Sequence, residues 1–412
     1  MSKTIPQLLK GFRDYLPQEQ IARRKMILKI SEIFERFGFA PIDTPALESF
    51  ALLKGKLGEE ERLIYKFKDL GDREVALRYD LTVPLARVYS SYPDLPKPFK
   101  RYQIAPVYRA ENPQRGRFRE LVQCDVDIVG SESPLADAEV IATLYTAFKA
   151  LEVGEVVVRL NNRRLIDETL TLLKVSKSRI GNFMRMVDKM DKIGEQEVIR
   201  ALEDDGFDSH LLNQYSEYME QLGERYVREM REMLSCLGVE NVTFDKYLVR
   251  GLDYYTGTIF EFGLKDKPEF GSIAGGGRYD NLIGKISGTD TPAVGGSIGL
   301  DRLFAALQDR GVIAPQTAAE VIILNLDAKL LPEYLKMATV LRREGLDTEL
   351  FYETAKFTRQ FKYAEAKNMK LAVVYGSDEA KQGKVSIRNL EEKRQVTVDS
   401  DELVTTVKSM LW

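Results

Sequence analysis

The sequence predicts an α+β protein in three pieces: an antiparallel sheet core, a helical insertion within that core, and a C-terminal α/β domain. Three observations carry the prediction. Segments of strand-like alternation, punctuated by turn residues, occupy the first third of the chain. A stretch from about Leu165 to Leu237, rich in Glu, Lys, Met and Leu and free of proline, interrupts them. After a proline-containing linker, apolar strands alternate with helices to the end. A chain of 412 residues is long enough for roughly two to three domains.

Taken in order, Ile21, Met26, Ile27, Ile30, Ile33, Phe34 and Phe37 recur at helical spacing, and Gly38 is placed to end that helix. Pro41 and Pro45 keep the following FAPIDTPALE extended. Tyr65 to Tyr79 alternates about Gly71 and reads as a hairpin. Phe99 to Gly130 has strand-like ends around a polar, Arg-rich middle, Asn112 to Arg119, as a hairpin with a long loop would. Beyond the helical stretch, strand character returns at Tyr247–Val249 and Thr258–Phe262, followed by Ala274-Gly-Gly-Gly-Arg278. A linker near Gly311–Ala318 precedes VIILNL, a helix around Leu331–Arg343, TELF, a helix around Thr358–Asn368 and LAVVYG, the alternation of βαβαβ units. The expected boundaries are 1–164 and 238–312 for the two parts of the core, 165–237 for the insertion and 319–412 for the last domain.

Composition excludes several chemistries. Cys124 and Cys236 are too few to staple a secreted scaffold, so a reducing compartment is expected. The single histidine, His210, excludes His-rich metal sites and leaves few candidates for Ser–His or Cys–His catalysis. No run of about 18 apolar residues occurs, so no membrane-spanning helix is expected. The start, MSKTIPQLLKGFRDYLP, lacks the apolar core of a secretory signal, and the expected location is the cytoplasm. A net charge of −3 argues against a wholesale nucleic-acid coat, though not against a local basic surface.

Charge and glycine concentrate in four places. Between Lys97 and Arg119 lie seven basic residues (Lys97, Lys100, Arg101, Arg109, Arg115, Arg117, Arg119) and one acid, Glu111. Such a field gathers phosphates. An ordinary solvated face also reads this way, but Pro113, Gly116 and Phe118 break any amphipathic helix and favour a shaped loop. Lys356, Arg359, Lys362, Lys367 and Lys370 form a smaller basic cluster on the second C-terminal helix. Ala274–Asp280 and Gly295–Arg302 are glycine-dense; such runs let a backbone approach a ligand, although a tight turn between strands is the commoner cause. Neither matches a Walker loop or a Rossmann unit. Arg250-Gly-Leu-Asp-Tyr-Tyr-Thr-Gly257 sets an arginine before a flexible glycine, a placement suited to clamping an anion, whereas its tyrosine pair is most simply packing.

Together these segments resemble the class II aminoacyl-tRNA synthetases, and specifically the histidyl-tRNA synthetase family, over essentially the whole chain. Helix 21–37 with the strand through Pro45 looks like the family's first motif, which builds a dimer interface. Tyr108-Arg-Ala-Glu-Asn-Pro-Gln-Arg-Gly-Arg-Phe-Arg119, closing in Gln123-Cys-Asp-Val-Asp127, looks like the second, and Gly295–Arg302 like the third. The two motifs that define the amino acid, Arg250–Tyr255 and Ala274–Asp280, are intact, and all five stand in the expected order.

The resemblance implies ATP-dependent activation of L-histidine, with Mg²⁺ accompanying ATP, and transfer to tRNA(His) by a homodimer. Attack by an ionised amino-acid carboxylate on the α-phosphate needs no general base. It needs charge neutralisation, which arginines and Mg²⁺ supply. By the same resemblance Arg109 binds the α-phosphate, Glu111 the adenine amino group, and Arg117 and Arg302 the γ-phosphate side, while Phe118 packs on adenine. Arg250 is a second clamp on the α-phosphate and the histidine carboxylate. Asp80, Thr82 and Gln123 receive the α-amino group, Asp127 and Tyr255 the two imidazole nitrogens, and Tyr254 and Tyr279 complete the pocket. No side-chain metal ligand is assigned. Lys356, Arg359 and Lys362 are expected to meet the anticodon, and the loop around Gln114 and Arg115 the acceptor end. Asp80 and Asp127 stand where some members carry Glu, and Asp301-Arg302 replaces a more general Glu-Arg, leaving the role of Asp301 open. Glu111 has the alternative of pairing with a neighbouring arginine, and Thr82 that of capping a helix. A non-catalytic, synthetase-like regulatory subunit of ATP phosphoribosyltransferase is the nearest rival, but such proteins typically lose the Arg250–Tyr255 motif and the last domain. An RNA-binding or kinase-regulatory module on the same core would not need Arg109, Arg117, Arg250 and Arg302 together.

Overall fold

The computed structural model describes residues 7–55, 58–113, 116, 118–249, 254–313 and 317–412. The strands are β1 (Ala40–Pro41), β2 (Leu47–Ser49), β3 (Lys66–Lys68), β4 (Glu74–Leu77), β5 (Phe99–Tyr108), β6 (Glu120–Val129), β7 (Val156–Asn162), β8 (Val242–Phe244), β9 (Thr258–Leu264), β10 (Ser272–Arg278), β11 (Ala293–Gly299), β12 (Val321–Ile323), β13 (Thr348–Leu350), β14 (Leu371–Val374), β15 (Lys384–Asn389) and β16 (Gln395–Asp399). The chain forms two compact units, one holding residues 26–312 and the other 313–412, with short N-terminal pieces assigned to each.

In the first unit an eight-stranded sheet runs β1-β5-β6-β11-β10-β9-β7-β8. Its interior ladders are antiparallel, and only the two edge pairings, β1 with β5 and β7 with β8, are parallel. The expected α+β, antiparallel core is therefore the observed one. Helix Pro134–Ala150, capped by the Ser133 side chain and with proline in its first turn, is buried along most of its length and packs on this sheet. A small sheet, β2-β4-β3, contains the Tyr65–Tyr79 hairpin, whose turn is held by Asp69 accepting from the amides of Gly71 and Arg73.

The proline-free stretch folds as helices: Arg163–Leu172, Lys177–Val187, Met190–Ile193, Glu195–Asp204 and Leu211–Cys236. The last buries Leu211, Tyr215, Met219, Gly223, Val227, Met230 and Leu234, a stripe at three- and four-residue spacing. Its first part, Leu211, Tyr215 and Met219, belongs to the same apolar cluster as Tyr254, Tyr255, Tyr279 and Leu282. In the second unit β12, β13 and β14 are parallel, as the βαβαβ reading requires, and β15 and β16 extend the sheet antiparallel from β14.

Two expectations need correction. Strand structure resumes at Val242–Phe244, not Tyr247–Val249, because Asp245 breaks the strand by accepting the amide of Tyr247 in a side-chain turn. The glycine runs are not turns. Both lie inside the sheet, paired Gly276 with Gly296 and Gly277 with Gly295. A Cβ on Gly276 would lie 2.6 Å from the Gly296 Cα and inside contact distance of the Gly295 carbonyl, and one on Gly277 would lie 2.8 Å from the Tyr255 ring. These glycines are required by close packing. Replacing Gly276 with alanine is expected to lower stability by about 3 kcal/mol or more, whereas Gly263→Ala in β9, where an added methyl meets nothing within 4 Å, is expected to be tolerated; urea unfolding of both variants checks this.

Candidate functional site

The site grows from strand register. Arg101 of β5 stands opposite Asp127 of β6, which stands opposite Gly295 of β11, itself opposite Gly277 of β10. The next row on that face holds Gln103, Asp125, Ser297 and Gly275, and the one after it Ala105, Gln123 and Gly299. Residues two apart share a face, so one side of the sheet carries a patch of carboxylates, an arginine and amides. The alternate residues Cys124, Val126 and Ile128 are buried and apolar.

Charge is taken out of water here. Arg101 is 0 % exposed, Asp127 2 %, Asp125 3 % and Asp80 5 %. Asp127 Oδ2 lies 2.6 Å from Arg101 Nη2, and its Oδ1 accepts from the Tyr279 hydroxyl. Burial raises the Asp127 carboxyl pKa above its ordinary value; Arg101 and the Tyr279 hydrogen bond oppose that rise. Burial, reinforced by Asp127, lifts the Tyr279 phenol well above its ordinary range. Asp80 Oδ1 accepts the Val83 amide at 3.0 Å, at the start of helix Thr82–Ser91, so Asp80 rather than Thr82 caps that helix. Its Oδ2 is buried with no hydrogen-bond partner among the described residues. Burial raises the Asp80 pKa, with Arg109 and Arg101 acting against it. Asp125 is raised from 3.8 to about 7, by burial first, while Arg101 pulls it down and Asp127 pushes it up.

Arg109 borders this acidic pocket. Its guanidinium lies 4.5 Å from the centre of the Tyr79 ring, donates to the Tyr79 carbonyl at 3.2 Å and reaches Gln123 Oε1 at 3.4 Å. The Gln123 amide donates to Ser297 Oγ at 2.9 Å. Glu111 is buried, and its carbonyl accepts from Arg119 Nε at 3.0 Å. Phe118 is half-buried, with the Arg13 guanidinium 5.8 Å from its ring centre. Arg302 donates to the Ser272 carbonyl at 2.5 Å. Its neighbour Asp301 is buried and accepts the Val122 amide at 2.7 Å, tying helix Leu300–Asp309 to β6, a structural role that sequence left open. Tyr254 and Tyr255 have ring centres 4.9 Å apart, and Tyr254 meets Tyr279 edge-on at 5.9 Å. Both also border a cleft of about 340 Å³ with Arg163, Asp167, Thr256, Asn281 and Lys285.

The structure thus brings Asp80, Arg109, Gln123, Asp127 and Tyr279 together. Arg250, Arg117, Gln114 and Arg115 lie outside the described residues. The basic run is only partly a loop: Lys100 sits on β5 and pairs with Glu139 at 2.8 Å, while Arg101 is buried against Asp127. The sequence places Arg101 in a phosphate-gathering basic field and gives no role to Asp125 or Ser297. The signal was the hairpin itself, since pairing Phe99 with Val129 puts Arg101 across from Asp127. Arg278, within the second amino-acid motif, is also structural, pairing with Asp137 and donating to the carbonyls of Ser131 and Ser133.

In the second unit Lys356, Arg359 and Lys362 are exposed, on and just before helix Phe357–Ala366. Lys367 and Lys370 fall beyond the helix end and pair with Glu349 and Glu320, so the basic cluster is smaller than its sequence suggests.

The Asp125 shift has a signed consequence. Its folded pKa is raised, so folding favours the protonated form, and that advantage is lost as pH climbs from 3.8 to about 7. Asp125→Asn is expected to be more stable than the parent at pH 8, with the gain shrinking below pH ~7 and disappearing near the ordinary carboxyl range; denaturant unfolding across that pH range measures it.

Comparison with known proteins meets this geometry. The family model described as histidyl-tRNA synthetase matches residues 11–303, and one described as an anticodon binding domain matches 320–410. The chain is 40% identical to the histidine–tRNA ligase of Aeropyrum pernix, covering 98% of each, and 38% identical to that of Wolinella succinogenes, covering 94% of each. Among solved structures it is similar to histidyl-tRNA synthetase from Nostoc sp. PCC 7120, with 31% identity, a TM-score of 0.85, and coverage of 99% of this chain and 100% of that one. An ATP phosphoribosyltransferase regulatory subunit/histidyl-tRNA synthetase from Bacillus halodurans shares the fold, with a TM-score of 0.73, 24% identity and coverage of 89% and 97%. On the match of its family model and on these identities, the chain belongs to the histidyl-tRNA synthetase family.

Proposed function

We propose that this chain activates L-histidine with ATP, forming histidyl-adenylate and pyrophosphate, and transfers the histidyl group to the 3′ end of tRNA(His) with release of AMP. The observation that carries the reading is the buried acidic pocket: Asp127 held by Arg101 and Tyr279, and Asp80 Oδ2 with no partner among the described residues, beside Arg109 and Gln123. A buried acceptor without a donor is costly alone and fits an ammonium group. On this reading Asp80, Thr82 and Gln123 hold the α-amino group, and Asp127 and Tyr255 hold the ring nitrogens. Tyr254 and Tyr279 close the pocket. A ring bonded at both nitrogens is separated from isosteres that would leave those groups unpaired.

The substrate carboxylate then points toward the arginines. Arg109 and Arg250 neutralise the carboxylate and α-phosphate as they approach, Arg117 and Arg302 hold the γ-phosphate side, and Glu111 and Phe118 read adenine. The donor set suits a triphosphate. Mg²⁺ would accompany ATP and supply charge neutralisation at its phosphates beside these arginines. The reading assigns 1–164 and 238–312 to the catalytic core, 165–237 to an insertion and 319–412 to anticodon binding. It also includes a homodimer built through the first motif. No described helix is long and apolar enough to cross a membrane, in keeping with action in the cytoplasm.

Histidine-dependent ATP–pyrophosphate exchange tests the reading, and exchange no greater than a no-histidine blank rejects it in favour of a regulatory subunit. Arg250→Ala is expected to reduce exchange at least ~10²-fold without changing the unfolding transition. Asp127→Asn is expected to raise the KM for histidine ~10-fold or more with the KM for ATP within about twofold; a defect confined to ATP would remove the imidazole role. For the RNA partner, filter binding of tRNA(His) should weaken with salt, and changing Lys356, Arg359 and Lys362 together to Ala should lower the log–log salt slope by about two. A salt-independent affinity would contradict that placement.

A further inference from the structure

Arg101 is buried in the midst of carboxylates. Its guanidinium pairs with Asp127 at 2.6 Å and donates to the Leu81 carbonyl at 3.2 Å, and its Nε and Nη1 find no hydrogen-bond partner among the described residues. Its charge acts on Asp80 and Asp125 as well as Asp127. As a device for stability this is poor, because a buried ion pair with unsatisfied donors is commonly matched or bettered by apolar residues of the same volume. The arrangement does, however, constrain Asp127. Oδ2 is turned to Arg101, and Oδ1, accepting one hydrogen bond from Tyr279, keeps a second lone pair.

We propose that Arg101 is a positioning residue for histidine recognition, whose pairing with Asp127 Oδ2 presents Oδ1 to the substrate ring and commits that carboxylate to accepting an N–H rather than donating a proton. The proposal rests on the reading of Asp127 as the ring's partner. Arg101 touches neither histidine nor ATP on this account. It sets which ring the pocket accepts: one with an N–H to give, as imidazole has. A thiazole, with an acceptor nitrogen and no N–H, is refused because two acceptors would then face each other. Without Arg101, burial favours a neutral Asp127, which can donate to a thiazole nitrogen.

The test is steady-state pyrophosphate exchange by the full chain with histidine and with β-(2-thiazolyl)alanine. Arg101→Met should raise the KM for histidine about tenfold or more, leave the KM for ATP within about twofold, and reduce discrimination against the thiazole by about tenfold. In an Asp127→Asn background the same change should add less than about twofold, because an amide already presents either a donor or an acceptor. A parental histidine KM and discrimination in Arg101→Met, where Asp127→Asn impairs histidine, overturns the proposal and leaves the Asp127 reading standing. If Asp127→Asn leaves the histidine KM unchanged, the Asp127 reading falls and the proposal with it. Should Arg101→Met fail to fold, the double variant is compared with Asp127→Asn alone: equal histidine KM values support the proposal, and a further tenfold rise overturns it.

Discussion

Asp127 stands where an ionised carboxylate is expensive to keep, in the middle of a sheet, 2 % exposed, with two other buried aspartates in its field. Desolvation of such a group costs several kcal/mol unless charge and hydrogen bonds offset it. Arg101 lies directly across the ladder and Tyr279 reaches over from the end of β10. The space for this arrangement comes from the far side: a Cβ on Gly295 would occupy the position of the Asp127 carboxylate, and Gly277, next in the row, leaves room for the Tyr255 ring. Tyr279 is in turn placed by Arg278, pinned to Asp137 of the helix beneath the sheet. Gly277, Arg278 and Tyr279 of one motif, Gly295 of another, and Arg101 outside every motif thus serve one constraint.

The sheet divides labour by face. One side is apolar and packs against helix Pro134–Ala150; the other carries acids at one end and arginines beside them. On the proposed reading, that gradient orients a zwitterionic amino acid before any chemistry. Its ammonium and ring point to the carboxylates, and its own carboxylate points to Arg109. Asp301, joined to the Val122 amide, keeps the helix bearing Arg302 in step with the strand bearing Gln123 and Asp127. Gln123 and Asp127 thus sit on one strand, and Arg302 on the helix joined to it.

Much of this was legible in sequence. Helix and strand periods located the sheet, the helical stretch and the βαβαβ segment, because side-chain period follows directly from backbone geometry. Boundaries were less secure where a side chain competes with the ladder, as Asp245 does near Tyr247. The basic run from Lys97 to Arg119 reads in sequence as one phosphate-gathering field, yet Lys100 and Arg101 belong to a strand and pair with Glu139 and Asp127. Lys367 and Lys370 were likewise spent on Glu349 and Glu320.

What the sequence determined alone is the inventory: an arginine-rich, histidine-poor chain whose motifs place Asp80, Arg109, Gln123, Asp127 and Tyr279 in a recognisable order. What only the tertiary structure decided is which charges meet. Composition counts an arginine the same way wherever it falls, but its effect depends on dielectric and distance, and both are set by strand register. That is why Arg101, one basic residue among seven in the linear count, becomes a buried partner of Asp127, and why two glycine runs that resembled loops are the floor of a packed pocket.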